Sequence, residues 1–217
     1  VKRPALFVFD LDGTLVDSRA DLANAANAAL TKLGLPPLPE RTIISYVGDG
    51  IDALIRRCLT PQHEARLDEA KAYFAEHYRE HFLDHTVLLP GVLETLRALK
   101  PRSLLAVLTN KSEPYAVKIL EGLGIAPFFS AIVGERDGLV PKPDPRALSS
   151  IMEDLKVPKD QTLMVGDGKN DILVAKEAGC SSCLVADSEE KVKALIPYHP
   201  DIVIRSMGEL PALFKEA

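Results

Sequence analysis

Six short apolar runs recur along the chain, at Ala5–Phe9, Leu104–Leu108, Ala131–Val133, Leu163–Val165, Leu184–Ala186 and Ile202–Ile204. They are too short for helices and rich in strand formers, so they read as buried strands. Helical patterns such as EPYAVKILEGLG, DPRALSSIMEDL and NDILVAKEAG lie between most of them. Alternation of this kind implies an α/β fold, a Rossmann-like parallel sheet covered by helices on both faces. Gly124 and Gly179 stand where C-terminal helix caps belong. Residues 17–86 break the alternation. They hold no strand-like run but several helical ones, RADLANAANAALTKLG, DGIDALIRRCL and HEARLDEAKAYFAEHYREHF. The expected layout is therefore a core of residues 1–16 and 87–217 with an all-helical domain, 17–86, inserted after the first strand. Pro36, Pro37 and Pro39 interrupt the insertion, and Leu89-Pro90-Gly91 marks the return to the sheet.

At 217 residues, 47% apolar and 26% charged, the composition is that of a globular domain with a full core. A net charge of −5 speaks against nucleic acid or anionic membrane as partners. No apolar stretch approaches the roughly 20 residues that span a bilayer. The segment VKRPALFVFD enters a strand directly, without a signal-peptide pattern, so a cytoplasmic location is expected. Cys180 and Cys183 form a C-x-x-C, but it follows a helix end instead of opening a helix, where a thiolate would be stabilised. With Cys58 they read as buried structural thiols. His77, His81 and His85 have a spacing that permits a metal site, yet Glu76 and Glu80 interleave with them, and a solvated helix face is the simpler reading.

Four polar clusters follow strand-like runs. The first is Asp10-Leu11-Asp12-Gly13-Thr14. If the chain stays extended through Asp12, both carboxylates project to one side. Their repulsion is then relieved by a divalent cation between them or by a proton on one. The second is Leu108-Thr109-Asn110, with Lys111 next, where a hydroxyl and backbone N–H groups could bind phosphate or Thr109 could simply cap a helix. The third is Lys142, held between Pro141 and Pro143 so that it points in one direction. The fourth is Gly166-Asp167-Gly168-Lys169-Asn170-Asp171, whose two acids, at i and i+4, could share a face of the first helical turn, or could be no more than capping groups. In a parallel sheet all four clusters lie along the carboxyl edge, where ligands of open α/β folds bind. Acids for a metal, a hydroxyl and a lysine for an anion, and one carboxylate free to attack together make a phosphoryl-transfer site.

These motifs resemble the haloacid dehalogenase superfamily of phosphohydrolases, whose first motif, D-x-D-G-T followed by L-x-D-S, matches Asp10–Ser18. The insertion falls where that superfamily carries a cap domain. The stretches DSRADL and YVGDGIDALIRRCL most resemble phosphoglycolate phosphatases. The resemblance implies Asp10 as nucleophile, forming an aspartyl-phosphate, and Asp12 as the acid and base of the two half-reactions. It implies Mg²⁺ held by Asp10, the carbonyl of Asp12, Asp167 and Asp171. Thr109 and Asn110 would hold phosphoryl oxygens, and Lys142 would offset charge in the transition state. Position 168 is glycine where many relatives carry serine, and Lys169 is unusual beside it. Retention of Asp12, Asp167 and Asp171 argues against dehalogenation. Lys32 and Lys71 are the insertion's lysines, and neither adjoins the YVGDG loop as a phosphonate hydrolase would need. Leu22 stands near where related phosphomutases place a histidine, which favours a phosphatase. Gly48, Gly50 and Arg56 are candidates for contacts to a small phosphorylated metabolite, 2-phosphoglycolate first, with Arg41 and Arg57 as further carboxylate-binding candidates. Sugar phosphates, pyrophosphate and nucleotides remain alternatives, as does a non-catalytic phosphate-binding module.

Overall fold

The computed structural model describes residues 3–214. The strands, in chain order, are β1 (Leu6–Phe9), β2 (Val16–Asp17), β3 (Val87–Leu88), β4 (Leu104–Ser112), β5 (Ala131–Glu135), β6 (Thr162–Gly166), β7 (Ser181–Val185) and β8 (Ile202–Ile204). The helices are α1 (Arg19–Lys32), α2 (Glu40–Ile44), α3 (Ile51–Cys58), α4 (Leu67–His81), α5 (Val92–Leu99), α6 (Glu113–Gly122), α7 (Arg146–Asp154), α8 (Lys169–Ala178) and α9 (Glu189–Leu195). The chain divides into two compact units, one running up to Val16 and resuming at Leu88, the other Asp17–Val87.

In the first unit six strands form one sheet in the order β5-β4-β1-β6-β7-β8, every neighbouring pair parallel. β1 lies inside it, hydrogen-bonded to β4 on one side and β6 on the other. All four of its side chains are fully buried, which is why the run shows no polar alternation. Leu6 and Val8 join a cluster with Leu148 and Ile151 of α7 and Val174 and Ala175 of α8. Phe7 and Phe9 pack elsewhere, edge-on to Phe214 and Phe129 at centroid distances of 5.6 and 6.4 Å. A strand buried on both sides ends at the sheet's carboxyl edge, so the polar residues that follow it emerge there.

In the second unit α1 packs against α4. Small buried residues of α1, including Ala25, Ala26 and Ala29, allow a close approach, and α4 buries Phe74 and Tyr78. Asn27 of α1 bonds both backbone groups of Leu38, at 2.8 and 3.0 Å, and so fixes the proline-rich connection. Asp21, also buried, accepts bonds from the N–H groups of His85 and Thr86 and from the Thr86 hydroxyl. α4 ends at His81, whose ring bonds Asp84, while the ring of His85 bonds Asp21. The three histidines therefore do not form one row. The two-residue strands β2 and β3, which form a separate sheet, and the short helix α2 carry too few residues to show a period in the sequence. Among the described residues no helix is long and apolar enough to cross a membrane.

Candidate active site

β1 ends at Phe9, and the ladder is extended by one bond from Asp10 N–H to the Val165 carbonyl, 2.9 Å. The chain then folds into a tight loop in which the N–H groups of Thr14, Leu15 and Val16 converge on the Leu11 carbonyl. The simple extension through Asp12 is thus corrected. The two carboxylates are answered by separate lysines: Lys142 lies 2.9 Å from Asp10, and Lys111 lies 2.9 and 3.0 Å from the two oxygens of Asp12. Gly13 has φ +82°, and a Cβ on it would stand 2.5 Å from Asp167 Oδ2. Glycine is needed there both for the turn and for the close approach of a carboxylate.

Lys142 is the most enclosed cation of the site, with 2% of its side chain exposed, and its ammonium also donates to Asp171 at 2.6 Å. Its direction is set from behind. Asn110 Oδ1 accepts from the Lys142 N–H at 2.7 Å, and Asn110 Nδ2 donates to the Lys142 carbonyl at 3.1 Å. The carboxamide expected on phosphate is therefore engaged on both atoms with the lysine's backbone. Thr109 is buried in β4, and its oxygen accepts from Lys111 N–H at 3.2 Å. The cap position of α6 falls at Ser112, so Thr109 is not a helix cap.

Asp167 precedes α8, whose first residue is Lys169, so the two acids of the fourth cluster do not share a helical turn as the i, i+4 spacing suggests. They converge nevertheless. One carboxylate oxygen from each of Asp10, Asp167 and Asp171 lies within 4.8 Å of the others. Asp171 also accepts from Gly168 N–H at 3.0 Å, so it caps the helix as well as lining the cluster. A Cβ on Gly166 would fall 2.1 Å from the Asp171 carboxyl carbon, and only glycine leaves that room. A side chain at position 168 would meet Asp171 at an ordinary 3.5 Å, so space alone does not demand glycine there. Lys169 is exposed.

Burial pushes the Asp10 carboxyl up to about 6, with the charges of Asp171 and Asp12 adding to it and Lys142 opposing. Burial likewise raises Asp167 and Asp171. For Lys142, burial works to lower the ammonium, but Asp10 and Asp171 override it and hold the group protonated. Three raised, converging carboxylates form an all-oxygen donor set with more negative charge than the lysines neutralise. That set fits a hard divalent cation.

A model of the family described as haloacid dehalogenase-like hydrolase matches residues 7–185. The chain belongs to the haloacid dehalogenase-like hydrolases. Among relatives of this hydrolase, the phosphoglycolate phosphatase of Chromobacterium violaceum is 41% identical over 213 residues, covering 95% of each chain. That of Escherichia coli is 36% identical over 228 residues, covering 94% of this chain and 90% of its own. The crystal structure of a predicted phosphoglycolate phosphatase from Haemophilus somnus superposes with a TM-score of 0.87 at 30% identity, covering 97% of this chain and 98% of the other.

Two lysines of this haloacid dehalogenase-like hydrolase enter the site without a role foreseen from sequence. Lys111 had a signal, since it directly follows Thr109 and Asn110 at a strand end. Lys191, which lies 2.6 Å from Asp167 Oδ2, had none, because EEKVKAL reads as a solvated charged helix. In the helical unit, Gly48 and Gly50 have positive φ, and Arg57 braces their loop through Tyr46 O at 3.0 Å and Asp49 at 2.5 Å. Arg56 pairs with Glu64, Lys32 with Glu76 and Lys71 with Asp52. The three cysteines are free, and burial pushes Cys58 and Cys180 up to about 11 and Cys183 up to about 12, as inert structural thiols require.

Proposed function

We propose that this phosphoric monoester hydrolase acts on 2-phosphoglycolate with Mg²⁺, through an aspartyl-phosphate on Asp10. The observation that carries the reading is the convergence of Asp10, Asp167 and Asp171 with Lys142 bonded to two of them. The names of the relatives at 41% and 36% identity supply the substrate.

Asp10, Asp167, Asp171 and the carbonyl of Asp12 would hold the cation, which supplies charge neutralisation at the phosphoryl oxygens when bound. Lys142 fixes one Asp10 oxygen and so orients the carboxylate for attack on phosphorus. As the Asp10–phosphorus bond forms, the ester bond breaks and its electron pair leaves on the glycolate oxygen, which takes a proton from Asp12. Water then attacks the phosphorus of the acyl phosphate, Asp12 recovers a proton from it, and phosphate and free Asp10 result. The Thr109 hydroxyl and neighbouring N–H groups receive phosphoryl oxygens, while Asn110 acts through Lys142 by holding its backbone. The Gly48–Gly50 loop and Arg56 are proposed to select the substrate.

The test is a comparison of rates on 2-phosphoglycolate, pyrophosphate, sugar phosphates and nucleoside monophosphates, with Mg²⁺ and with chelator. A preference for 2-phosphoglycolate that chelator abolishes supports the reading. Preference for another ester overturns the substrate, and hydrolysis of none would mark a phosphate-binding module.

A further inference from the structure

The three clustered acids are held by unequal cations. Lys142, enclosed and shared by Asp10 and Asp171 at 2.9 and 2.6 Å, cannot leave without stranding two buried carboxylates. Asp167 is paired differently. Its Oδ1 accepts from Thr14 Oγ1 at 3.3 Å, and its Oδ2 lies 2.6 Å from Nζ of Lys191. The Lys191 side chain is 31% exposed and that of Asp167 21%, so this pair borders solvent.

Lys191 also stands where local physics would not place a cation. It is in the first turn of α9, the end of a helix that favours negative charge, beside Glu189 and Glu190. Its backbone is tied down by the bond from Lys191 N–H to the Ser188 hydroxyl, 3.3 Å. The helix that follows β7, the strand next to β6, therefore presents the ammonium to Asp167. We propose that Lys191 sets the divalent-cation affinity of the site, as a displaceable cation on Asp167. An ion that takes Oδ2 of Asp167 competes with Lys191 for it, and one that takes Oδ1 binds beside a like charge. The inference rests on the metal-binding reading above and adds a residue from outside its four motifs.

Calorimetric titration of Mg²⁺, and separately Mn²⁺, into substrate-free protein tests it without reference to turnover. Lys191→Met should bind Mg²⁺ about fivefold to tenfold more tightly than the wild type, the factor expected from releasing a partly exposed ion pair. Lys191→Arg, which keeps the charge, should stay within about twofold. In chelator the Met variant should melt no higher than the wild type, yet gain more on adding Mg²⁺. Unchanged affinity in Lys191→Met overturns the proposal, and weaker affinity overturns it in favour of an orienting role. Either result leaves the phosphatase reading standing. A wild type that binds neither metal would remove the metal reading and this inference together.

Discussion

The lysine–aspartate pairs around the clustered acids of the sheet unit differ from the ion pairs of the helical unit in what breaking them would cost. In the sheet unit, Lys142 and Asp171 keep 2% and 5% of their side chains exposed, and Lys111 keeps 6%. Their partners arrive from separate strand ends. In the helical unit, Lys32–Glu76 and Arg56–Glu64 are each about half exposed at both members. An exposed pair can return to water when broken, whereas an enclosed one leaves a charge without solvent or partner.

The largest effect should come from Asp10→Asn, which removes the proposed nucleophile. Phosphate release should fall by about 10⁴-fold or more in a steady-state assay, and residual activity above that would break the assignment. Lys142→Met should follow, destabilising the fold by roughly 3–5 kcal/mol in urea unfolding, because it strands Asp10 and Asp171. A loss under about 1 kcal/mol would erase the contrast between the two units. Asn110→Ala should cost about 2 kcal/mol by leaving both backbone groups of Lys142 unpaired, and should lower kcat more than it changes KM.

The raised Asp10 carboxyl sharpens the same contrast through pH. Its folded value of about 6 lies above the ordinary 3.8, so the native state holds the proton more tightly than the unfolded chain. That contribution is complete below about pH 4 and is lost as pH rises through 6, on the order of 3 kcal/mol. In chelator, the melting temperature of Asp10→Asn relative to wild type should therefore climb between pH 4 and 7, and added Mg²⁺ should reduce the difference. A flat difference would show that Asp10 does not carry the burden of burial. The smallest effects belong to Lys32→Ala and Arg56→Ala, each within about 0.5 kcal/mol of wild-type stability. For Arg56→Ala, a raised KM for 2-phosphoglycolate with stability intact would support its proposed part in substrate choice.

Much of the architecture was legible because burial on both faces leaves a mark in the chain. LFVF, LLAVL and TLMVG lack polar alternation for the same reason they form interior strands. The helices α1, α3 and α4 were visible in their periods, while β2, β3 and α2 were too short to show one. Within the site, motif spacing found the acids and Lys142 but misplaced details that depend on turns. Asp12 still acts electrostatically on Asp10, but the chain bends at Leu11 instead of running straight, and its carboxylate is paired with Lys111. Asn110 was expected on phosphate and is found on the backbone of Lys142, a bond across 32 residues of sequence.

By itself, the order of residues determined that a parallel sheet would carry four polar clusters to one edge, since buried strands must end where polar residues begin. Which carboxylate meets which lysine was decided only in three dimensions. Lys142 and Lys111 carry local sequence signals and Lys191 carries none, but for all three the sheet order β4-β1-β6-β7 sets the distances to Asp10, Asp12 and Asp167. Pairing energies follow distance and solvent access, and neither quantity is written along the chain.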